Sequence, residues 1–370
     1  MSERPCVLYA ERLPRGEVAG GYHYAAKATL GSYLAEHYRF VVPELTSPGD
    51  GGFTARFVRD LVAIGSSVAK SEVDVVHVPL SYNNRALLEV AQFALFRLAR
   101  LPVVLDVRAG SFQAWWADAP VPIRIAYRAM MRGAQAVTAE MKSDLGFILK
   151  EFGQVARYSP SFVWASRLAE VLPADLSVAV GEPLRLVFAG RFSREKGGED
   201  LLAGLRLAAG PGRRFHLSVC GGSDQETLMS QLDGMAADPP PGVTVEVLGF
   251  LPTADDVLAL LQRQHLFLLP SWYFGEGHSN AVNQAMLAGL PALLTKQGHL
   301  PSIVPPEGGF FVDAHSPEQI AAVLISLSAN PQRLAPAGAA NRAWLAAHYT
   351  DTVALGAFEA AWRDAMEPRT

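Results

Sequence analysis

The sequence predicts an α/β protein made of two doubly wound domains, each a parallel sheet covered by helices. Its 370 residues exceed what one hydrophobic core usually serves. Short apolar runs alternate with segments of helical spacing, which is typical of parallel sheets with crossover helices. The alternation is interrupted once, at about residues 160–183, and then restarts. We therefore expect two such domains facing each other across a cleft, with the ligand site in that cleft.

The first domain is expected over residues 1–165. Near-continuous apolar runs predict strands that are buried on both faces of the sheet, at PCVLYAE, DVVHVPL, PVVLDVRAG and AVTAEM. Helical spacing is found between them, in YAAKATLGSYLAEHY and NNRALLEVAQFALFRLAR.

The second domain is expected over residues 183–350. Its predicted strands are LRLVFAG, FHLSVCGG, VTVEVLGF, LFLLPS and PALLT. Its predicted helices are GEDLLAGLRLAA, ADDVLALLQRQ, a segment from about Asn280 to Leu287, and PEQIAAVLISLSAN. The last stretch, residues 351–370, is predicted to be helical and to cross back to the first domain.

The composition excludes several classes of protein. The formal net charge of −4 argues against a general nucleic-acid binder, which is normally strongly basic. Two cysteines, Cys6 and Cys220, are too few for a disulfide scaffold or a cysteine-rich zinc site, and both are expected to be buried thiols. The N-terminal residues lack an apolar segment of signal-peptide length. We therefore expect a cytoplasmic protein that is at most attached to a membrane surface.

The first chemical signal is the segment VFAGRFSREKGGEDLL. A predicted strand ends at Gly190 and is followed by Arg191, a polar loop, Lys196 and a pair of glycines. Arginine offers a planar fork and lysine a point charge, and together they suit a diphosphate. An ordinary loop with solvated cations remains the alternative.

The second signal is the segment LFLLPSWYFGEGHSNAVNQAMLAG. A predicted strand ends near Ser271, a loop presents Glu276, and a helix begins near Asn280. The helix N-terminus suits a phosphate. The carboxylate suits hydroxyl groups instead, because its charged oxygens can accept their hydrogen bonds. A sugar joined to a phosphate matches both. The alternative is that Glu276 only complements the helix dipole.

These two segments together resemble the retaining nucleotide-sugar glycosyltransferases of family 4, also called glycosyl transferases group 1, which have the GT-B fold. The matching residues are Gly190-Arg191…Glu195-Lys196-Gly197 and Pro270-Ser271…Glu276-Gly277…Asn280…Ala285-Met286…Gly289-Leu290-Pro291. The resemblance is strong over about residues 184–330 and weaker over the first half.

The resemblance implies a role for each matching position. Arg191, Lys196 and Glu276 would be catalytic: the two cations would neutralise the departing diphosphate, and the glutamate would hold hydroxyls of the donor sugar. The implied donor-binding residues are Gly190, Gly221, Gly222, Gly277, His278, Ser279, Asn280 and Gln284. Gly20, Gly21 and Arg108 are assigned to an acceptor or phosphate loop. No metal and no cofactor is implied, because the nucleotide-sugar is a substrate.

Two positions depart from the family's pattern. The family has a second glutamate after Glu276, which binds the nucleotide ribose, and this chain has Gln284 there. Arg108 lies in the region where many members have a histidine that contacts the donor sugar. Weaker donor binding or a different nucleotide preference would follow from the first departure, and no catalytic histidine is assigned because of the second.

A separate feature is a predicted basic helix in the first half. Arg124, Arg128 and Arg132 share one helical face, and Trp115 and Trp116 lie just upstream. This face suits an anionic lipid surface, and a solvated face of an ordinary helix is the alternative.

The expected reaction is transfer of a sugar, with retention, from a UDP- or GDP-linked donor to a sugar, lipid-linked or other small acceptor. Two alternatives remain open: a phosphorylase-type enzyme of the same fold, and a non-catalytic nucleotide-sugar-binding protein.

Overall fold

The computed structural model describes residues 4–11, 21–46, 51–82, 85–108 and 110–367, and describes no side chains for residues 21–25. The chain forms two compact units. Unit 1 runs to Ser161 and resumes at Thr352, and unit 2 is Phe162–Asp351. Each unit is built around its own sheet.

Unit 1 contains a six-stranded parallel sheet in the order β2-β1-β3-β4-β5-β6. Its strands are β1 Cys6–Tyr9, β2 Arg39–Val41, β3 Val75–Leu80, β4 Val103–Val107, β5 Ala136–Ala139 and β6 Ala156–Tyr158. Its helices are α1 Gly21–Leu30, α2 Leu34–His37, α3 Phe53–Lys70, α4 Ala86–Leu98, α5 Phe112–Asp118, α6 Val121–Gly133 and α7 Lys142–Phe152.

Unit 2 contains a second six-stranded parallel sheet, in the order β12-β11-β10-β7-β8-β9. Its strands are β7 Leu184–Ala189, β8 Phe215–Cys220, β9 Val243–Gly249, β10 Leu266–Leu269, β11 Ala292–Thr295 and β12 Gly309–Val312. Its helices are α8 Ala165–Glu170, α9 Gly198–Ala208, α10 Glu226–Ala237, α11 Ala254–Leu261, α12 Asn280–Leu287, α13 Leu300–Ile303, α14 Pro317–Ala329 and α15 Leu334–His348. Helix α16 is Asp351–Met366, and nearly all of it belongs to unit 1.

The central strands are apolar because helices cover both faces of each sheet. The side chains of β3, β4 and β10 are all buried, which agrees with the apolar runs that predicted these strands. Three strands were not foreseen, namely β2, β6 and β12, and each lies at an edge of its sheet. They are three or four residues long and partly exposed, so they leave no clear pattern in the sequence.

The segment expected to join the domains is packed as part of unit 2. The guanidinium group of Arg342 on α15 donates hydrogen bonds of 2.6 Å to the carbonyl oxygens of Leu168 and Val171. Val163 pairs in parallel with Thr350, which fixes the start of this segment. Unit 2 therefore begins at Phe162, about twenty residues before the expected boundary.

Helix α16 packs on the sheet of unit 1 through Phe358 and Trp362, which are both fully buried. The indole N–H of Trp362 donates to Nδ1 of His77 on β3 at 3.1 Å, and its ring packs edge-on against Tyr38 at 5.2 Å. His77 is a core residue, and burial lowers its pKa. In the part of the chain that the structure describes, no helix has the length and apolar character needed to cross a bilayer.

Candidate functional site

The candidate site lies where the strand order of the second sheet changes direction. From β7 the chain proceeds outward through β8 and β9, and it returns to the other side of β7 with β10. The loops that follow two such neighbouring strands lead to helices on opposite faces of the sheet. Because the two loops diverge, doubly wound sheets have a crevice at the carboxyl ends of these strands. The loops after β7 and β10 are the two segments that the sequence singled out, carrying Lys196 and Glu276.

A close backbone contact brings these two loops together. Gly197 has a φ of +79°, and a Cβ atom added there would lie 2.2 Å from the carbonyl oxygen of Pro270. Only glycine allows both the conformation and the approach. The contact places the loop that carries Lys196 directly against the end of β10. A second link joins the same loops, because the amide N–H of Trp272 donates to the carbonyl oxygen of Glu195 at 2.9 Å.

Lys196 and Glu276 form an ion pair inside this contact. The Nζ atom of Lys196 lies 2.6 Å from Oε1 and 2.5 Å from Oε2 of Glu276. The Glu276 side chain is only 6% exposed and that of Lys196 is 19% exposed. Two opposite charges are thus held in partial burial at the carboxyl ends of β7 and β10.

Ser271 is the residue at this site that the sequence reasoning left without a role. Its Oγ–H donates to Oε2 of Glu276 at 2.7 Å, and the Oγ atom of Ser271 accepts the amide N–H of Tyr273 at 3.2 Å. Ser271 is fully buried at the end of β10. Its position immediately after a buried strand was the available signal, because such positions face the ligand crevice in a doubly wound sheet.

A tight turn aims Glu276 at Lys196. The amide N–H of Glu276 donates to the carbonyl oxygen of Tyr273 at 3.1 Å, which closes the turn. Gly275 lies in this turn, where an added Cβ would meet the Tyr273 ring at 2.9 Å. The ring centroid of Tyr273 lies 5.7 Å from Nζ of Lys196, so the ring also faces the cation.

Arg191 follows β7 and has an exposed side chain. Within the described residues its guanidinium group has no hydrogen bond and no ion pair. Its charge contributes to lowering the pKa of the Glu195 carboxyl, for which hydrogen bonds to the loop backbone and to Ser193 are the larger causes. Arg191 is therefore a solvated cation beside the crevice, whereas Lys196 is already paired.

The glycines after β7 and β8 lie back to back. Gly221 has a φ of +133°, and an added Cβ there would lie 1.9 Å from the carbonyl oxygen of Gly190. Gly190 itself has a φ of +130°. The next residue, Gly222, faces the ring of Phe250, with 2.8 Å between an added Cβ and the ring. These glycines keep the carboxyl ends of β7 and β8 free of side chains, which leaves backbone open to a ligand.

The predicted donor-binding residues of the last loop lead into α12. Ser279 is the N-cap residue of that helix and Asn280 is its first residue, after Gly277. His278 is buried, its Nε2 atom lies 2.9 Å from Oδ1 of Asn283, and its ring packs against Tyr349 at 4.4 Å. Gln284, one turn into α12, is half-buried.

The residues predicted for an acceptor or phosphate loop belong to unit 1. Gly20 lies outside the described residues, and Gly21 is the first residue of α1. Arg108 is turned into the protein: its side chain is 3% exposed, its Nε atom lies 2.6 Å from Oδ2 of Asp106, and Nη1 lies 3.5 Å from Oε1 of Glu140. Its guanidinium group also lies over the ring of Phe358 at 5.0 Å.

This environment gives Arg108 a structural role and leaves it no free charge for a phosphate. The Arg108 guanidinium and His77 hold the pKa of Asp106 at about 2 against the opposing effect of burial. Burial raises the pKa of Glu140 to about 7. Among the described residues, no group of three or more histidine, cysteine, aspartate or glutamate side chains is placed to hold a metal ion.

Comparisons with known proteins concern the fold of the chain and the sequence of its second unit. Residues 177–344 match the family model described as glycosyl transferases group 1. No match was found among curated protein sequences.

Similar solved structures include a sucrose-phosphate synthase from Thermosynechococcus elongatus, at 17% identity and a TM-score of 0.71, with 97% of this chain and 98% of that chain covered. Anabaena HepE, solved in complex with UDP and glucose, has 15% identity, a TM-score of 0.68 and coverage of 96% and 98%. A glycosyltransferase from Rickettsia africae has 13% identity, a TM-score of 0.68 and coverage of 99% and 100%. The predicted fold class is confirmed: the chain has the GT-B fold, and most of its second unit matches the group 1 glycosyl transferases.

Proposed function

We propose that this protein is a retaining glycosyltransferase that moves a sugar from a nucleoside-diphosphate sugar to an acceptor hydroxyl, in the synthesis of a polysaccharide, glycolipid or other glycoconjugate. The observation that carries the proposal is the contact between Lys196 and Glu276 at the carboxyl ends of β7 and β10. It places a cation and a hydroxyl acceptor side by side, next to the N-terminus of α12.

The donor's diphosphate would bind beside Arg191 and Lys196. Arg191 is solvated and has its charge free, and the N-terminus of α12 adds backbone N–H groups and a positive dipole end. A phosphate oxygen approaching Lys196 would give its ammonium group a second anionic partner. One oxygen of Glu276 would then be released to accept a hydrogen bond from a hydroxyl of the donor sugar, while Ser271 keeps the other in place.

The chemical step would proceed on one face of the sugar. The bond between the anomeric carbon and the phosphate oxygen breaks, and the acceptor oxygen bonds to the same face of that carbon. The acceptor proton moves to the departing phosphate oxygen, so no protein nucleophile is needed. Arg191 and Lys196 stabilise the charge that develops on the leaving group, which is the contribution a divalent cation makes elsewhere. We therefore expect activity without added metal.

A UDP-linked donor is favoured over the other nucleotides. HepE, which shares the fold, binds UDP and glucose in its crystal structure.

In this chain Gln284 would accept a hydrogen bond from a ribose hydroxyl as a neutral partner. Such a bond contributes about 1 kcal/mol, against roughly 1.5–3 for a bond to a charged group. Donor affinity would consequently rest more on the diphosphate contacts.

The first experiment is a thermal-shift screen against UDP-, GDP- and ADP-sugars in the presence of EDTA, since a ligand of the native state raises its apparent stability. The donor that raises the melting temperature is then incubated with candidate acceptors, and release of the nucleoside diphosphate is measured. NMR of the product gives the anomeric configuration. The control is Glu276→Gln, which keeps the hydrogen-bonding shape and removes the charge.

The outcomes separate the alternatives. Transfer with retention, reduced at least tenfold in the control variant, is expected. Tight donor binding without turnover on any acceptor would identify a non-catalytic nucleotide-sugar-binding protein. Formation of a sugar 1-phosphate from an oligosaccharide and inorganic phosphate would identify a phosphorylase. An inverted product would overturn retention alone.

A further inference from the structure

Unit 2 has a cavity at the edge of its sheet that is opposite to the candidate site. The cavity has a volume of about 900 Å³ and is formed by the segments that lead into β7, β8 and β9. Small-molecule sites in proteins have volumes of roughly 300–1,000 Å³. Because β7 and β8 have six residues each, the cavity lies about 20 Å from the glycines at the carboxyl ends of these strands. It is therefore separate from the candidate site.

Three arginines line this cavity. Arg206 belongs to the last turn of α9, and Arg213 and Arg214 belong to the loop between α9 and β8. Arg206 and Arg214 are exposed and Arg213 is half-buried, and within the described residues none of them forms an ion pair. The described residues that line the cavity include no aspartate and no glutamate. Its wall therefore carries three positive charges and no negative one.

Two carboxylates lie in the segments that lead to this cavity. Glu182 precedes β7 and Asp238 precedes β9, and both side chains are exposed. Glu182 lines a neighbouring cavity of about 310 Å³ that shares Arg213 and Arg214. In the part of the chain that the structure describes, neither carboxylate pairs with these arginines, so the arginines keep their charge free for an anion.

The walls of the cavity are held in place by the backbone. Gly242 has a φ of +79°, and a Cβ atom added there would lie 2.2 Å from the carbonyl oxygen of Arg213. The amide N–H of Phe215 donates to the carbonyl oxygen of Gly242 at 2.9 Å, and Nη1 of Arg213 donates to the carbonyl oxygen of Ala208 at 3.2 Å. Proline fixes the backbone φ angle. The lining residues include four prolines, which are Pro183, Pro211, Pro240 and Pro241.

We propose that this cavity binds a small molecule that carries two or more phosphate groups. The planar guanidinium group of arginine matches phosphate oxygens with two parallel hydrogen bonds. Three such groups in one cavity, without a carboxylate, are neutralised by a ligand with several negative charges. A nucleic acid fits less well, because it needs a basic track along the surface and the chain as a whole has a formal net charge of −4.

The inference is independent of the proposed enzymatic function, because the cavity is remote from the candidate site and its test needs no sugar donor. The experiment is isothermal titration of the full chain, in the presence of EDTA, with pyrophosphate and with inorganic phosphate. Pyrophosphate is expected to bind with a dissociation constant below about 1 mM, and inorganic phosphate at least tenfold more weakly. Added salt should weaken the binding of pyrophosphate, since salt screens exposed charges.

Three variants locate the bound pyrophosphate. Arg206→Gln combined with Arg214→Gln is expected to weaken its binding roughly 100-fold, since each charged hydrogen bond contributes about tenfold or more. The matched control, Arg132→Gln combined with Arg263→Gln, removes the same charge from exposed positions outside the cavity and should change the affinity less than about twofold. Arg191→Gln removes the free cation of the candidate site and should leave binding in the cavity intact. Thermal unfolding of each variant shows whether it is folded.

Several results would overturn the inference. One is the absence of saturable pyrophosphate binding, and another is an equal loss in the control pair, which would indicate a general charge effect. Binding that Arg191→Gln removes and the variant of Arg206 and Arg214 keeps would assign pyrophosphate to the candidate site. If that variant lowered the unfolding free energy without changing the affinity, the arginines would only complement the C-terminal end of α9.

Discussion

Lys196 binds both carboxylate oxygens of Glu276 through its Nζ atom, at 2.6 and 2.5 Å, although the two residues are 80 positions apart in the chain. The pair joins the loop after β7 to the loop after β10. It is the point at which the two parts of the sequence motif become one site, and the first two predictions below depend on it.

Substitutions in the ion pair of Lys196 and Glu276 are expected to affect stability and activity differently. Lys196→Met leaves the Glu276 carboxylate buried without its counter-charge, and such a loss costs about 3–5 kcal/mol of unfolding free energy. Adding Glu276→Gln should restore much of that stability, because no buried charge remains unpaired, and it should leave nucleoside-diphosphate release at least tenfold below wild type. Urea unfolding and a transfer assay measure the two effects. A double variant that is no more stable than Lys196→Met would contradict the buried pair.

Ser271 is expected to position Glu276. Ser271→Ala removes the hydrogen bond to the carboxylate, so Glu276 loses the donor that keeps it in place. We expect kcat to fall roughly three- to tenfold, which a transfer assay measures. The control is Thr295→Val, which removes a hydroxyl that donates to the Ser271 carbonyl oxygen and does not touch the carboxylate. Equal kcat values for Ser271→Ala and the control would leave Ser271 with a packing role only.

Gln284 is expected to contact the nucleotide ribose. Gln284→Glu would make the hydrogen bond to a ribose hydroxyl charged, and the gain of about 0.5–2 kcal/mol corresponds to roughly two- to thirtyfold tighter binding. Isothermal titration with nucleoside diphosphates measures it. Nucleotides without ribose hydroxyls provide the comparison, since the variant and the wild type should bind these alike. Equal affinity of both proteins for every nucleotide would place Gln284 outside the donor site.

Gly221 is expected to be irreplaceable for steric reasons. In Gly221→Ala the new Cβ would lie 1.9 Å from the carbonyl oxygen of Gly190 at a φ of +133°. The matched control is Gly212→Ala, which also has a positive φ, of +74°, and meets no atom within 4 Å. The control should lose about 1 kcal/mol of unfolding free energy from backbone strain alone, and Gly221→Ala should lose several times more. Equal losses would show that the contact between the two glycines relaxes.

His265 is expected to make stability depend on pH. Burial, with a smaller contribution from Arg185, lowers its pKa to about 4. Its Nδ1 atom accepts the amide N–H of Arg185 at 3.0 Å, which protonation would break. The unfolded chain binds a proton near pH 6.5 and the native state does so only near pH 4, so on the order of 3 kcal/mol is lost as the pH falls through that window.

The test for His265 is a comparison of unfolding free energies between pH 7 and pH 4 for wild type and His265→Asn, whose Oδ1 atom can accept the same N–H. Glu140 acts in the opposite direction, because its pKa is raised to about 7 and protonation favours its native state. Because Glu140 is present in both proteins, its contribution cancels when the unfolding free energy of the variant is subtracted from that of the wild type. If the difference in unfolding free energy between variant and wild type stayed constant from pH 7 to pH 4, it would contradict the lowered pKa of His265.

The case of Arg108 shows what a local pattern leaves open. The family resemblance assigned Arg108 to an acceptor or phosphate loop, but alternate residues of a strand point to the same side, so Asp106 was the available warning. The structure pairs the two at 2.6 Å and buries both. The full environment, with Glu140 directly after β5 and Phe358 from α16, comes from residues that are distant in the sequence.

The sequence by itself determined the fold class and the positions of Arg191, Lys196 and Glu276 at the ends of elements, because buried strands and loop glycines leave a local periodicity and composition. Only the tertiary structure decided the order of the strands, the short edge strands, the hydrogen bond of Ser271 to Glu276 and the burial of Arg108. The physical reason is that pairing and burial depend on contacts between distant segments. Gly197 and Pro270 meet only once β7 and β10 are neighbours in the sheet.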